Sequence, residues 1–354
     1  MEIKKSAKKL FLSIGSVIFA IIIGLLVGAL LMVFWGFDPW NAYYHLFRSA
    51  FFGTKNISTT LAYSIPLMLT GITFAVGAKA GLFNIGAEGQ VYIGAVAAIA
   101  ISQIAMPSIL GFIVTIAFCM LAGALWGLPA ALLKATRGVH EVVSTIMLNW
   151  IANFLCLYLI SGSLVDLSRP QQSVRIPEAL RFPVIVEGSQ LTAAIFVCIA
   201  FVFVIYFVLW YLPVGYELRA VGLNPEASRF GGINHSRAIV NSFALGGFAS
   251  GLAGGLSMMG MPPSYALHGT LGNVINLGFD GIGVALIGRN HPIGIIFSSI
   301  FFAGLYTGAR GMQIYAGVPV EIVRGIEGII IIAAAVPEIL AIISRGVKKW
   351  TSQR

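Results

Sequence analysis

The feature that most limits how this chain can fold is a series of long stretches without a charged residue. Asp, Glu, Lys and Arg are absent from residues 10–37, 56–78, 89–133, 142–165, 188–216, 238–279 and 290–309. A charge at the centre of a membrane helix costs about 2.5–3.5 kcal/mol on insertion scales, and a spanning helix needs about 20 apolar residues. Stretches this long and this frequent therefore predict membrane-spanning helices.

The composition excludes an ordinary water-soluble protein. Only 10% of the 354 residues are charged, whereas soluble domains carry roughly 25%. The net charge of +9 does not indicate nucleic-acid binding, because eight of the basic residues cluster at the two chain ends. These are Lys4, Lys5, Lys8, Lys9, Arg345, Lys348, Lys349 and Arg354. Both clusters flank apolar runs, which is typical of anchors on the cytoplasmic side of a cell membrane.

The uncharged stretches predict an all-α membrane protein with about ten transmembrane helices. Two stretches are too long for one helix and are divided near Pro107 and near Pro262-Pro263. The predicted helices are 10–35, 57–78, 82–104, 109–133, 142–163, 190–213, 239–260, 266–288, 292–309 and 321–343. The first is expected to stay as a span and not to be cleaved as a signal peptide. An even number of spans places both termini on one side, and the distribution of Lys and Arg predicts that this side is cytoplasmic.

Sequence patterns of catalysis are missing. The chain has no GxxxxGK[ST] phosphate loop, no HExxH pair and no GxSxG motif, and its five histidines are scattered. The three cysteines lie far apart within apolar runs, without metal-binding spacing. We therefore expect a single transmembrane domain over 1–354 that is not an enzyme and holds neither a metal nor a cofactor. Any ATP hydrolysis that drives it must come from a separate chain.

Two polar loops stand out. The loop 217–237 contains the start signals of a short helix, since Asn224 is a good N-cap, Pro225 suits the first helical position and Glu226 complements the helix dipole. Gly231 and Gly232 end this helix. Taken alone, this short helix could dock into a cytoplasmic partner or lie on lipid headgroups as a connector. The longest loop on the other side, 164–190, could cover a pore, contact a delivery protein or simply connect two helices.

Several motifs resemble those of one transporter family. Glu226-Ala227-Ser228 followed by Gly232 is similar to the coupling loop of ABC importer permeases, and residues 81–90 (GLFNIGAEGQ) resemble a signature of the branched-chain/ribose-type family. Residues 278–294 and Gly317-Val318-Pro319 also resemble its nucleoside and simple-sugar branch. The resemblance covers essentially the whole chain after the first helix.

The resemblance implies a machine of several subunits. It implies a permease fold of the ten-helix cobalamin-importer type, paired with a second homologous permease chain. It also implies two ABC ATPase domains, which can be fused in one chain, and a substrate-binding lipoprotein. Asn224, Pro225, Glu226, Ala227, Ser228, Gly231 and Gly232 would then couple the permease to the ATPase. The implied substrate is a nucleoside, with a ribose-like simple sugar as the alternative.

A repeated motif independently supports this architecture. Asn84-Ile85-Gly86-Ala87-Glu88-Gly89 recurs 192 residues later as Asn276-Leu277-Gly278-Phe279-Asp280-Gly281. The two copies lie in the third and eighth predicted helices, which run in opposite directions, so they indicate an inverted repeat with halves near 57–163 and 239–343. A secondary carrier driven by protons or Na⁺ can also contain such a repeat, with Glu88 or Asp280 as the coupling acid.

Six polar residues belong to the repeated motif or are candidates for the translocation path. They are Asn84, Glu88, Gln90, Asn149, Asn276 and Asp280. An acid is costly to bury in lipid, so both acids must face protein or water. We expect the acids to hold helix starts where glycines interrupt the helices, and the neutral Asn84 and Gln90 to be better suited to contact a neutral substrate.

Overall fold

A computed structural model describes the backbone of residues 2–334 and the side chains of residues 15–334. The side chains of the N-terminal Lys cluster, the whole C-terminal cluster and the second half of the predicted helix 321–343 lie outside these residues. The part of that predicted helix that falls inside is helical, within residues 320–334.

The described backbone consists of helices and loops, with three isolated β-bridges and no strand within residues 2–334. The α-helices are α1 (Glu2–Phe34), α2 (Pro39–Phe51), α3 (Thr54–Lys79), α4 (Ala87–Ser102), α5 (Ser108–Arg137), α6 (Glu141–Ser161), α7 (Ala194–Tyr211), α8 (Pro213–Leu223), α9 (Pro225–Phe230), α10 (His235–Met259), α11 (Leu277–Ile287) and α12 (Pro292–Ala316). The predicted all-α class is confirmed.

Among the described residues, seven helices are long and apolar enough to cross a membrane: α1, α3, α5, α6, α7, α10 and α12. The helices α4 and α11 are apolar but have only 16 and 11 residues. At 1.5 Å per residue they are about 24 and 16 Å long, shorter than the roughly 30 Å hydrocarbon core. Neither helix is therefore long enough to cross a membrane by itself.

The predicted helix 266–288 is wrong in its first half. Residues 266–276 are irregular, and Leu271 and Asn276 have positive φ angles that an α-helix excludes. The segment bonds instead to the loop 164–190, because Ser173 N donates to Leu267 O at 2.9 Å and Ile176 N donates to Tyr265 O at 2.9 Å. Apolar composition alone cannot distinguish such a segment from a helix.

Three further differences concern helix boundaries. The predicted helix 82–104 begins only at Ala87, after irregular backbone and a turn. The amphipathic α2 was not predicted; Asp38 caps it by accepting a hydrogen bond from Trp40 N at 3.0 Å. The helix α8 was also not predicted and follows α7 after a single residue, Leu212.

The chain divides into two compact units, one of residues 53–303 and one of residues 1–52 with 304–354. In the larger unit, α4, α5 and α10 cross at glycines. Gly94 lies against Gly251 O, Gly123 against Gly247 O, and Gly254 against Val91 O, where a Cβ atom has no room. Small residues allow membrane helices to approach closely, so this crossing forms the centre of the unit.

In the smaller unit, helix contacts also depend on glycines. Gly28 lies beside Ile326 and Tyr43, and Tyr43 donates a hydrogen bond to Leu25 O at 2.6 Å. The last part of α12 packs on α2, where Gly308 lies against Leu46. This unit contains none of the six polar candidates for the repeat motif or the path.

Candidate functional site

The two copies of the repeated motif meet at the starts of α4 and α11. The backbone of Gly278, in the first turn of α11, lies directly on the backbone of Ala87 and Glu88, in the first turn of α4. A side chain at position 278 would overlap these backbone atoms, so this contact requires glycine. The N-termini of two short helices are thereby held together inside one unit.

The carboxylate of Glu88 connects the two helix starts. Its Oε1 accepts hydrogen bonds from Asn276 N at 2.6 Å and from the Tyr92 hydroxyl at 2.5 Å, and its Oε2 accepts one from Gly278 N at 2.6 Å. Glu88 is only 2% exposed. The first N–H groups of a helix have no partner within the helix, and a negative charge there is favourable. Glu88 therefore caps α11 from the neighbouring helix.

Two amide side chains satisfy the start of α4. Asn84 Oδ1 accepts a hydrogen bond from Gly86 N at 2.9 Å, which closes a local turn. Asn149 on α6 accepts from Gly89 N at 2.9 Å through its Oδ1 and donates to Ile85 O at 2.9 Å through its Nδ2. Asn149 thus ties α6 to the motif by a pair of hydrogen bonds to the backbone.

The second copy of the motif does not repeat this geometry. The helix α4 begins at the fourth motif residue, Ala87, whereas α11 begins at the second, Leu277. Glu88 is therefore the second residue of its helix and Asp280 the fourth. Asp280 is partly exposed, in contrast to Glu88. The two acids occupy the same motif position and different structural positions.

The structure brings Asn84, Glu88, Asn149 and Asn276 into one hydrogen-bonded region. Gln90 is 1% exposed and lies against Gly127 of α5. Both polar atoms of its amide and Asn84 Nδ2 have no hydrogen-bond partner within the described chain. Sequence reasoning missed the role of Tyr92, although its position four residues after Glu88 on a helix is a signal for contact.

The loop between α7 and α10 forms two consecutive helices. Asn224 Oδ1 accepts a hydrogen bond from Ala227 N at 3.0 Å, and Gly232 ends the turn with a φ of +80°. Leu223, the last residue of α8, is 88% exposed, and Phe230, the last residue of α9, is 95% exposed. Sequence analysis did not single out these two apolar side chains, because exposure is not visible in composition.

The C-terminal end of α8 is packed against the C-terminal end of α3. Gly222 lies directly on Lys79 O and Gly81 N, again without room for a side chain. This contact holds the end of α8 against the end of α3, and the exposed α9 follows directly after it. Of the seven residues predicted to couple to an ATPase, Ser228 is the buried one; its hydroxyl donates to Pro225 O at 2.8 Å.

An aromatic and basic cluster lies at the same end of this unit. Lys79 Nζ is 5.9 Å and Arg219 Cζ 5.8 Å from the centre of the Trp210 ring, and the His291 ring is 4.8 Å from it. Burial and the charge of Lys79 lower the pKa of His291 below its ordinary value. Trp and basic residues concentrate at membrane–water interfaces, so this Trp210 cluster marks one interface.

One protein-family model and several known transport proteins match this chain. Residues 56–335 match the family described as Branched-chain amino acid transport system / permease component. The guanosine ABC transporter permease protein NupP of Bacillus subtilis is 35% identical over 320 residues, which cover 89% of this chain and 91% of NupP. The nucleoside ABC transporter permease protein NupB of Lactococcus lactis is 33% identical over 335 residues, or 91% of each chain.

Two further relatives matter for substrate and assembly. The glucose ABC transporter permease protein TsgB13 of Haloferax volcanii is 29% identical over 334 residues, which cover 91% of this chain and 87% of TsgB13. A second guanosine permease of B. subtilis, NupQ, is 27% identical over 256 residues, which cover 70% of this chain and 79% of NupQ. No solved structure matches the chain.

Proposed function

Because this chain belongs to the family of branched-chain amino acid transport system permease components, we propose that it is the membrane subunit of an ABC importer for nucleosides. The observation that carries the proposal is the similarity to a guanosine permease and to a nucleoside permease, at 35% and 33% identity over about nine-tenths of this chain. The seven long apolar helices agree with a multi-pass membrane protein. The resemblance read from the motifs of residues 81–90 and 226–232 is thereby confirmed at the level of the family.

The proposed complex contains a second, homologous permease. The occurrence of two guanosine permeases in B. subtilis, both similar to this chain, supports a pair of different subunits. The complex further contains two ABC ATPase domains and a lipoprotein that delivers the substrate. Both termini of this chain and the loop 217–237 lie in the cytoplasm, on the side favoured by the positive-inside rule.

The coupling surface consists of α9, with the exposed Phe230 as its last residue, and the exposed Leu223 at the end of α8. Large apolar side chains that are 88% and 95% exposed contribute little to the folding of the isolated chain. They lie next to a tightly packed helix end and beside the charged Glu226 and Arg229. Exposed apolar side chains of this kind match the anchors of a protein interface, which fill pockets of the partner. The ATPase is the proposed partner.

Uptake measurements test the substrate. The complex is reconstituted in liposomes with its ATPase and lipoprotein, and the uptake of labelled guanosine, adenosine, ribose and glucose is compared with and without ATP. ATP-dependent uptake of a nucleoside is expected. Uptake of a sugar without any nucleoside uptake would reject the nucleoside proposal and favour the simple-sugar alternative, which the glucose relative supports.

Alanine substitutions test the coupling surface. Phe230→Ala is expected to lower substrate-stimulated ATP hydrolysis and uptake at least tenfold, because loss of an interface anchor commonly costs 2 kcal/mol or more. Leu167→Ala is the matched control, since Leu167 is also 89% exposed but lies in the loop 164–190. Equal effects of the two substitutions, or none from either, would show that α9 is not the coupling surface.

A further inference from the structure

The short helix α11 is separated from its neighbours in the chain by backbone that is not helical. It has 11 residues and follows the irregular segment 266–276. A turn comes after it, in which Arg289 and Asn290 have φ angles of +58° and +49°, values that an α-helix excludes. The orientation of α11 in the larger unit is therefore set by the contacts along its side and at its two ends.

The start of α11 is held on α4. Glu88 accepts hydrogen bonds from Asn276 N and Gly278 N, both at 2.6 Å, and the backbone of Gly278 lies on that of Glu88. Along its side, α11 meets α3 at Gly281, where a Cβ atom would overlap the backbone of Thr70. Small residues allow two helices to approach closely, and at these glycines no side chains interlock.

The other end of α11 is held by the Trp210 cluster. His291 follows the last residue of α11, Ile287, by four positions, and its ring centre is 4.8 Å from that of Trp210. Trp210 is the penultimate residue of α7. Arg219 of α8 lies with its Cζ 5.8 Å from the centre of the same ring. One indole ring thus contacts both the residue that follows α11 and a side chain of α8.

The helix α8 also leads directly into the proposed coupling surface. Its last residue, Leu223, belongs to that surface, and α9 begins two residues later at Pro225. Arg219 precedes Leu223 by four residues, which corresponds to about 6 Å, or one turn, along α8. A displacement of α9 therefore reaches the Trp210 ring across about one helical turn.

We propose that Trp210 is a positioning residue that transmits a displacement of α9 to the end of α11. The inference rests on the proposed function, since the ATPase is the partner that acts on α9. The end of α11 follows α8 while its start stays on α4, so α11 changes its tilt. Ile275 and Phe279, which are 46% and 44% exposed, then shift on the surface that the larger unit presents.

The number of solute molecules imported per ATP hydrolysed tests the role of Trp210 in the reconstituted complex. Trp210→Leu is expected to lower this ratio about tenfold, which is within the usual range of coupling between two sites. Trp210→Phe keeps an aromatic ring beside Arg219 and His291 and is expected to restore most of the ratio. The control is Trp126→Leu, because Trp126 is also half-buried and joins two helices by donating to Leu148 O at 3.3 Å.

The control substitution is expected to leave the ratio unchanged, even where it lowers uptake and ATP hydrolysis together. The same behaviour of Trp210→Leu, with an equal loss of both activities, would show a purely structural role and overturn the inference. A ratio that Trp210→Phe does not restore would also overturn it, because the aromatic ring would then not carry the effect.

A spin label at position 279 tests the movement of α11 itself. The native Cys119, Cys156 and Cys198 are fully buried, so they give little background. Phe279→Cys is compared with Phe118→Cys, because both phenylalanines are 44% exposed and Phe118 lies on α5. Addition of ATP to the complex is expected to change the electron paramagnetic resonance spectrum of the label at 279 and not at 118. Trp210→Leu is expected to abolish this change.

The outcomes separate the inference from the proposed substrate. An unchanged spectrum at position 279, or the same change in the presence of Trp210→Leu, would overturn the inference. If the label and the ratio respond as expected but the complex imports glucose and not guanosine, the inference is supported and the nucleoside proposal is rejected.

Discussion

Replacing Glu88 with Gln tests the carboxylate that joins the two halves of the repeat. The carboxylate accepts hydrogen bonds from Asn276 N and Gly278 N, both at 2.6 Å, through different oxygens. A Gln side chain has only one acceptor oxygen, and its NH₂ group would face the second N–H. One buried N–H is then left without an acceptor, which costs about 1–3 kcal/mol. Loss of the negative charge at the helix start adds about 0.3–2 kcal/mol.

The two contributions together give an expected destabilisation of about 1–5 kcal/mol. For a unit of 150–250 residues, each kcal/mol lowers the midpoint of thermal unfolding by about 2–4 °C, so a decrease on the order of 10 °C is expected. The unfolding of the purified complex in detergent is followed by intrinsic fluorescence. ATP-dependent uptake, measured well below this midpoint, is expected to stay within about twofold of the unmodified protein, because 2% exposure keeps Glu88 from the substrate.

Two controls separate this contact from general effects. Glu187→Gln makes the same chemical change at an exposed position and is expected to alter stability by less than about 0.5 kcal/mol. Tyr92→Phe removes one hydrogen bond from Glu88 but leaves both N–H groups paired, so an intermediate loss of about 0.5–1.5 kcal/mol is expected. A midpoint for Glu88→Gln within about 1 °C of the unmodified protein would refute the proposed clamp. If Glu88→Gln instead uncoupled uptake from a proton or Na⁺ gradient without any ATPase, the importer proposal would fail.

Three further predictions follow from the same contacts. Gly278→Ala is expected to prevent stable folding of the chain, because the added Cβ would overlap the backbone of Glu88. The control Gly325→Ala should be tolerated, because Gly325 has open space around it. The yield of folded protein in size-exclusion chromatography distinguishes the two variants. Gly232→Trp is expected to abolish uptake, while Gly36→Trp, at the same φ of +80° and also in open space, should transport normally at an equal level in the membrane. Burial, and to a lesser extent the charge of Lys79, lower the pKa of His291, so the unfolded chain binds a proton at this position more readily than the folded chain. The contribution of neutral His291 to the free energy of unfolding should therefore be complete above about pH 6.5 and decrease as the pH falls towards the lowered pKa. His291→Asn should reduce this decrease, as measured in unfolding scans from about pH 7.5 to 5.5.

At the candidate site, the repeated motif could be recognised from the sequence, but the different positions of its two acids could not. Recognition of the motif at 84–89 and 276–281 predicted tight backbone packing at each copy, because of the glycines that flank each acid, but it did not predict that the two copies contact each other. The motif did not reveal that α11 begins two motif positions earlier than α4. That shift gives Glu88 a buried capping position and leaves Asp280 partly exposed, so the two acids could not be told apart before the tertiary contacts were known.

The sequence alone determined that this chain is a helical, multi-pass membrane protein, because insertion into lipid depends on the summed hydropathy of local segments. Local chemistry also determined the N-cap at Asn224 and the end of the turn at Gly232. Tertiary structure alone decided that residues 266–276 are not helical, since their backbone groups bond to the loop 164–190 instead. It likewise decided which polar residues are buried and which reach the surface, because burial depends on neighbours that are distant in the sequence, such as Gly278 against Glu88 across 190 residues.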